Sequence, residues 1–124
     1  DKEAQLHFGQ AIKLDQSNKK YYVGRSDAYY RLAKLDEALK DVQKALTLDT
    51  TDAGLWKREG LIKHQLGRYE EAVQAYSTAI RVSSTKPDAD IYVCRSRSYV
   101  VLKQYQLAAS DLGACIDVNP DNLD

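Results

Sequence analysis

The chain has 124 residues, enough for one compact domain, and its 44% hydrophobic and 29% charged content is that of an ordinary globular protein. Eighteen basic residues balance eighteen acidic ones, so the basic excess that a general nucleic-acid binder uses against phosphates is missing. No apolar run approaches the length that crosses a bilayer, and the polar stretch from Asp1 to Gln10 is unlike a secretory signal.

Helix breakers are few: the prolines are Pro87 and Pro120, and glycine is sparse. Apolar residues recur at i, i+4, i+7 and i+8, as Ala38, Val42, Ala45 and Leu46 in one segment and as Ala72, Tyr76, Ala79 and Ile80 in another. In chain order the pattern predicts helices over about 3–14, 19–33, 36–48, 53–66, 70–82, 88–102 and 105–117. Short connections such as Gly67-Arg68 make successive helices antiparallel neighbours. The fold class expected is all-α.

These segments repeat. Ala38, Val42 and Ala45 return 34 positions later as Ala72, Tyr76 and Ala79, and 34 positions earlier as Ala4, Phe8 and Ala11. A further copy, Ala108, Leu112 and Cys115, lies 36 positions beyond, with the two extra residues in the loop Ser83 to Asp88, where an insertion costs little. Tyr22, Trp56 and Tyr92 share one register, followed by the small residues Ser26, Gly60 and Ser96, then Tyr29, Lys63 and Tyr99. Small residues at fixed places permit close helix approach, and aromatics fill the space between helices.

The best copy, Trp56…Gly60…Gly67-Arg68-Tyr69-Glu70-Glu71-Ala72…Tyr76…Ala79, resembles the tetratricopeptide repeat, with its 34-residue period and its Trp, Leu-Gly, Tyr, Ala, Phe, Pro signature. The resemblance spans nearly the whole chain: a half repeat at 1–18 and full repeats at about 19–52, 53–86 and 89–122, in a single domain. The signature Leu is replaced by Arg25, Glu59 and Arg95, and the signature Pro survives only as Pro120, with Gln16, Thr50 and Ser84 in the other places. The family implies an α-solenoid of antiparallel helix pairs, with a concave face lined by the first helix of each pair. The first repeat lacks its first helix, so Leu6, Phe8 and Ile12 are expected to lack a cover. No capping helix follows Pro120-Asp121-Asn122, and the chain has no Met. The expectation is therefore that the protein continues past one or both ends, or that these ends self-associate.

Candidates for catalysis are weak. Ser26, Ser96 and Ser98 lie beside arginines with no histidine nearby in the pattern, and Ser26 and Ser96 fall at the small packing position. The acidic pairs Asp36-Glu37 and Glu70-Glu71 recur at one register where a helix begins, which suits the helix dipole better than acid–base work. Cys94 and Cys115 form no disulfide framework and are expected as buried thiols in a reducing, cytoplasmic setting. His7 and His64 are far apart and no Cys/His cluster has zinc spacing. Neither an enzyme nor a cofactor is expected.

The resemblance instead places a ligand groove one, two, five and eight residues after the Trp-like position. That implies Val23, Gly24, Asp27 and Tyr30, then Lys57, Arg58, Leu61 and His64, then Val93, Cys94, Arg97 and Val100. Lys57, Arg58, His64 and Arg97 read as a basic stripe that favours an acidic or C-terminal peptide. The expected function is a protein-interaction scaffold, with Tyr30, Leu61 and Val100 as apolar contacts. The alternative is a chaperone adaptor for Glu-Glu-Val-Asp tails, because Tyr22-Val23-Gly24-Arg25-Ser26 and Tyr92-Val93-Cys94-Arg95-Ser96 look like co-chaperone repeats. The family's carboxylate clamp transfers poorly in either register: one gives Gly24, Gly54 and Arg58, the other Val23, Asp27, Arg58, Asp90 and Cys94.

Overall fold

A computed structural model describes residues 2–83 and 85–118. They form helices α1 (Lys2–Leu14), α2 (Lys19–Arg31), α3 (Leu35–Leu48), α4 (Ala53–Gln65), α5 (Tyr69–Val82), α6 (Ala89–Val101) and α7 (Tyr105–Val118). The expected boundaries hold to within two residues at every helix end. Each helix packs mainly on its neighbours in sequence, and α4 also touches α6. Local contacts of this kind are what a stack of helix pairs requires.

The start of each first helix is built the same way. Asn18, Asp52 and Asp88 stand at one register as N-caps, and their side chains accept hydrogen bonds from the backbone N–H of Lys20, Gly54 and Asp90. Each satisfies one of the amides that a helix start leaves unpaired. The aromatic register has a hydrogen-bonding purpose as well. The Tyr22 hydroxyl donates to the Gln16 carbonyl at 3.0 Å, and the Trp56 indole donates to the Thr50 carbonyl at 2.9 Å. Gln16 and Thr50 hold the places of the signature Pro, so each aromatic pins the preceding loop.

The turn inside each pair also repeats. Ala33, Gly67 and Lys103 have φ of 60°, 81° and 61°, and the next residue returns a hydrogen bond to Tyr29, Lys63 and Tyr99 respectively. That is a Schellman closure, in which the left-handed residue reverses the chain. The second helices then begin with the acidic pairs Asp36-Glu37 in α3 and Glu70-Glu71 in α5, as the dipole argument expects.

Two apolar clusters form the core. Ile12, Tyr22, Ala38, Leu39, Val42, Ala45, Leu46, Leu55 and Ile62 join α1 to α4. Ala72, Tyr76, Ala79, Ile91 and Cys94 join α5 to α6. At Gly60 an added Cβ would lie 2.6 Å from the Tyr76 ring, so the small register is a close-approach site. Both cysteines are buried and form no disulfide. The expectation of an uncovered first helix needs correction: Ile12 is buried, and Phe8 is half-buried against the bare face of Gly24. Leu6 alone of the three is exposed.

The residues that replace the signature Leu are structural. The Arg25 guanidinium donates to both Asp41 carboxylate oxygens, at 2.8 and 2.7 Å, tying α2 to α3. Arg95 and Asp111 repeat this between α6 and α7, at 2.8 and 2.5 Å. Arg25 also lies over the Tyr29 ring, and Arg95 over the rings of Tyr92 and Tyr99. The middle repeat changes all the members together. Glu59 stands for the Arg, Ala75 for the Asp and Lys63 for the Tyr, and the pair becomes Glu59–Lys63 within α4 at 3.1 Å.

Candidate functional site

The first helices α2, α4 and α6 lie side by side and are joined by polar contacts. Arg58 of α4 donates to Asp27 of α2, at 3.2 and 3.3 Å. Lys57 of α4 lies 2.9 Å from Asp90 of α6 and 3.2 Å from its N-cap Asp88. Between α2 and α4 opens a cavity of about 400 Å³ lined by Asp27, Tyr30, Lys57, Arg58 and Leu61 together with Ser26, Gly54, Ile62 and Asp88. A second cavity of about 430 Å³ continues past Gly54, Lys57 and Asp88 to the insertion loop at Thr85 and Lys86. The side chains thus form a trench with an apolar patch (Tyr30, Leu61, Ile62) and an ion-paired rim.

Five of the eight residues singled out in the sequence, Asp27, Tyr30, Lys57, Arg58 and Leu61, therefore line one cavity. His64, Arg97 and Val100 stand outside its lining. Arg97 and Val100 are exposed on α6, while His64 is half-buried between α4 and α6. The basic stripe is not observed as a free one. Lys57 holds two carboxylates and Arg58 a third, so the cations come with their own counter-ions. Burial works against the Lys57 ammonium, but Asp90 and Asp88 outweigh it and raise its pKa. His64 is pushed the other way, its pKa lowered first by burial and then by the Arg97 charge, so it is neutral at pH 7.

The sequence reading that no histidine lies near the serines is also corrected. His64 Nδ1 is 2.8 Å from Ser98 Oγ, and the ring stacks edge-on against Tyr69. Ser98, two positions before the register counterpart Val100, is the residue that faces His64. Ser98 is fully buried, so the pair fastens α4 to α6 instead of presenting a nucleophile. Ser26 donates to the Ala38 carbonyl and Ser96 to the Val93 carbonyl, in keeping with packing roles. Cys94, buried in the core between α5 and α6, has its thiol pKa raised by burial and by Asp90, and is a poor nucleophile at neutral pH. Among the described residues no group of His, Cys, Asp and Glu is arranged to hold a metal ion. No described helix is long and apolar enough to cross a membrane.

Helix pairs of one register, stacked on their neighbours with their first helices side by side, define an α-solenoid. Comparison with known proteins gives the family. A profile described as tetratricopeptide repeat matches residues 2–53, and one described as TPR repeat matches residues 60–89. The chain belongs to the tetratricopeptide repeat family. It is 30% identical over 125 residues to Tetratricopeptide repeat protein 16 of Homo sapiens, covering 95% of this chain and 14% of that protein. It is 29% identical over 79 residues to the Hsp70-Hsp90 organizing protein of Triticum aestivum, covering 64% of this chain and 14% of that protein. The chain thus spans about a seventh of the length of these relatives. Among solved structures, that of MamA superposes with a TM-score of 0.87 at 17% identity, over 94% of this chain and 67% of MamA.

Proposed function

We propose that this chain is a protein-interaction scaffold that takes a peptide or helix of a partner in the trench between α2 and α4. The observation that carries the reading is the cavity of about 400 Å³ that places Tyr30 and Leu61 in an otherwise charged surface. A pocket with an apolar patch and a few convergent polar groups is the usual form of a recognition site. The affinity is assigned to an inserted apolar side chain. Lys57 and Arg58 already hold Asp90, Asp88 and Asp27, so a ligand carboxylate exchanges one partner for another and gains little.

Display of random peptides tests this. Peptides enriched on the wild-type chain are expected to share an apolar or aromatic residue and to be lost on Leu61→Arg. Enrichment that survives Leu61→Arg would place recognition elsewhere.

A chaperone adaptor is the second reading, favoured by the likeness to the Hsp70-Hsp90 organizing protein. Arg58 is the one residue that matches the clamp, and in one register only, and Asp27 occupies it. Titration of a labelled Glu-Glu-Val-Asp-ending peptide beside its amidated form separates the two readings. Micromolar binding that needs the free carboxylate and Arg58 supports the adaptor. Equal, weak signals for both peptides favour the apolar trench. Location in the cytoplasm is part of the same proposal and is tested by imaging the tagged full-length protein.

A further inference from the structure

The chain builds the same fork three times. Arg25 gives Nε and Nη2 to the two carboxylate oxygens of Asp41, at 2.8 and 2.7 Å. Arg95 gives the same two nitrogens to Asp111, at 2.8 and 2.5 Å. Arg58 gives them to Asp27, at 3.2 and 3.3 Å. A guanidinium held by its edge in this way keeps its flat faces free, and those faces attract aromatic rings. In the first two forks the chain supplies the ring itself. The guanidinium carbon of Arg25 lies 5.8 Å from the centre of the Tyr29 ring. That of Arg95 lies 5.7 Å from the centre of Tyr99 and 5.9 Å from that of Tyr92. Tyr29 and Tyr99 each stand four residues after their arginine, on the same side of the helix, and Tyr92 stands three before.

The third fork has no ring. Four residues after Arg58 stands Ile62, and three before it stands Leu55, both buried aliphatics. Among the described residues no aromatic ring covers the Arg58 guanidinium. Its side chain is the most exposed of the three, 39% against 25% for Arg25 and 19% for Arg95. The same side chain lines the cavity of about 400 Å³ with Tyr30 and Leu61, which has room for a ring as large as indole. Gly54, one turn earlier, leaves the space beside it bare: a Cβ there would be 3.9 Å from Arg58 Nη1.

We infer that the trench selects an aromatic side chain, Trp, Tyr or Phe, which a partner lays against the Arg58 guanidinium. The inference rests on the reading of the trench as the partner's site and names the residue class that fills it. Asp27 sets the plane of the guanidinium, while Tyr30 and Leu61 give the ring an apolar wall. An aliphatic side chain uses the wall alone; an aromatic one uses both. The partner then completes the arrangement that Tyr29 completes at Arg25, and Tyr92 and Tyr99 at Arg95.

The test is a display library of uncharged peptides, selected on the whole 124-residue chain. Trp, Tyr and Phe are expected at the anchor position in preference to Leu, Ile, Val and Met. One selected peptide is then made with Phe at the anchor and again with cyclohexylalanine, its saturated counterpart, and both are titrated by fluorescence anisotropy. The Phe peptide is expected to bind the wild-type chain about threefold tighter or more, and the two are expected to bind Arg58→Gln alike. Arg58 is a surface side chain, so the variant is expected to keep its helical circular dichroism. Arg58→Leu is the second variant if it does not. Aliphatic anchors that depend on Leu61, equal binding of the two peptides to wild type, or a preference for the ring that survives loss of Arg58 overturns the inference and leaves the apolar trench standing. Selected peptides indifferent to Leu61→Arg overturn the trench reading and this inference with it.

Discussion

Removing one half of the Arg25–Asp41 pair is expected to cost far more than removing both. Asp41 is 4% exposed and its carboxylate accepts two guanidinium hydrogen bonds, at 2.8 and 2.7 Å. Arg25→Leu leaves that carboxylate buried without its partner, at a cost of about 3–5 kcal/mol. Asp41→Ala strands the guanidinium, which is partly exposed and can rehydrate, so the loss falls nearer about 2–3 kcal/mol. The double variant Arg25→Leu/Asp41→Ala restores the signature Leu and gives position 41 the Ala that the middle repeat already carries at Ala75. It is expected within about 1 kcal/mol of wild type, because a buried pair often has little net worth against apolar replacements. Urea denaturation of the four proteins, followed by circular dichroism, closes the cycle. These losses imply a coupling of at least about 4 kcal/mol, and single losses that add to within about 0.5 kcal/mol of the double would refute the reasoning.

Further outcomes follow from the turns, the packing and the one histidine between helices. Ala33 and Lys103 hold left-handed φ that glycine adopts at little cost, so Ala33→Gly and Lys103→Gly should each raise stability by about 0.5–1 kcal/mol. Gly67→Ala should lower stability by about 1 kcal/mol, since nothing blocks the methyl and only the backbone is strained; thermal melts of the three variants check the opposite signs. Gly60→Ala drives a methyl to 2.6 Å from the fully buried Tyr76 ring and should cost about 1–3 kcal/mol by the same melts. Gly24→Ala meets the half-buried Phe8 ring, which can move outward, and is expected to cost less. The lowered pKa of His64 means that the unfolded chain takes up a proton first as pH falls. Its contribution to stability should therefore be full above pH 6.5 and decline below it, and His64→Gln should flatten that limb of a stability–pH curve.

The solenoid was legible because packing repeats its demands. Tyr22, Trp56 and Tyr92 pin a loop or fill a gap at one register, Ser26, Gly60 and Ser96 give closeness at another, and both survive in composition alone. The replacement of the signature Leu looked like a loss of pattern, yet its meaning was present in the sequence. Arg25 has Asp41 sixteen places on, Arg95 has Asp111 at the same distance, and the middle repeat changes both positions. The trench was legible only in part. Its positions follow from the helix register, but its charge depends on pairs between helices, such as Arg58 with Asp27 and Lys57 with Asp88. Those partners lie 31 residues apart, off the repeat period, and depend on how one helix is turned against the next. The His64–Ser98 contact was hidden for the same reason, since Ser98 stands two positions before the register counterpart of His64.

The central claim is that the trench between α2 and α4 receives the partner through an apolar anchor. A peptide taken from the display selection, titrated into isotope-labelled protein and followed by amide chemical shifts, tests it most directly. The account predicts the largest shifts at Asp27, Tyr30, Lys57 and Leu61, with affinity little changed between low and high salt. Shifts confined to the outer faces of α3 and α5, or an affinity that collapses with salt, would contradict it.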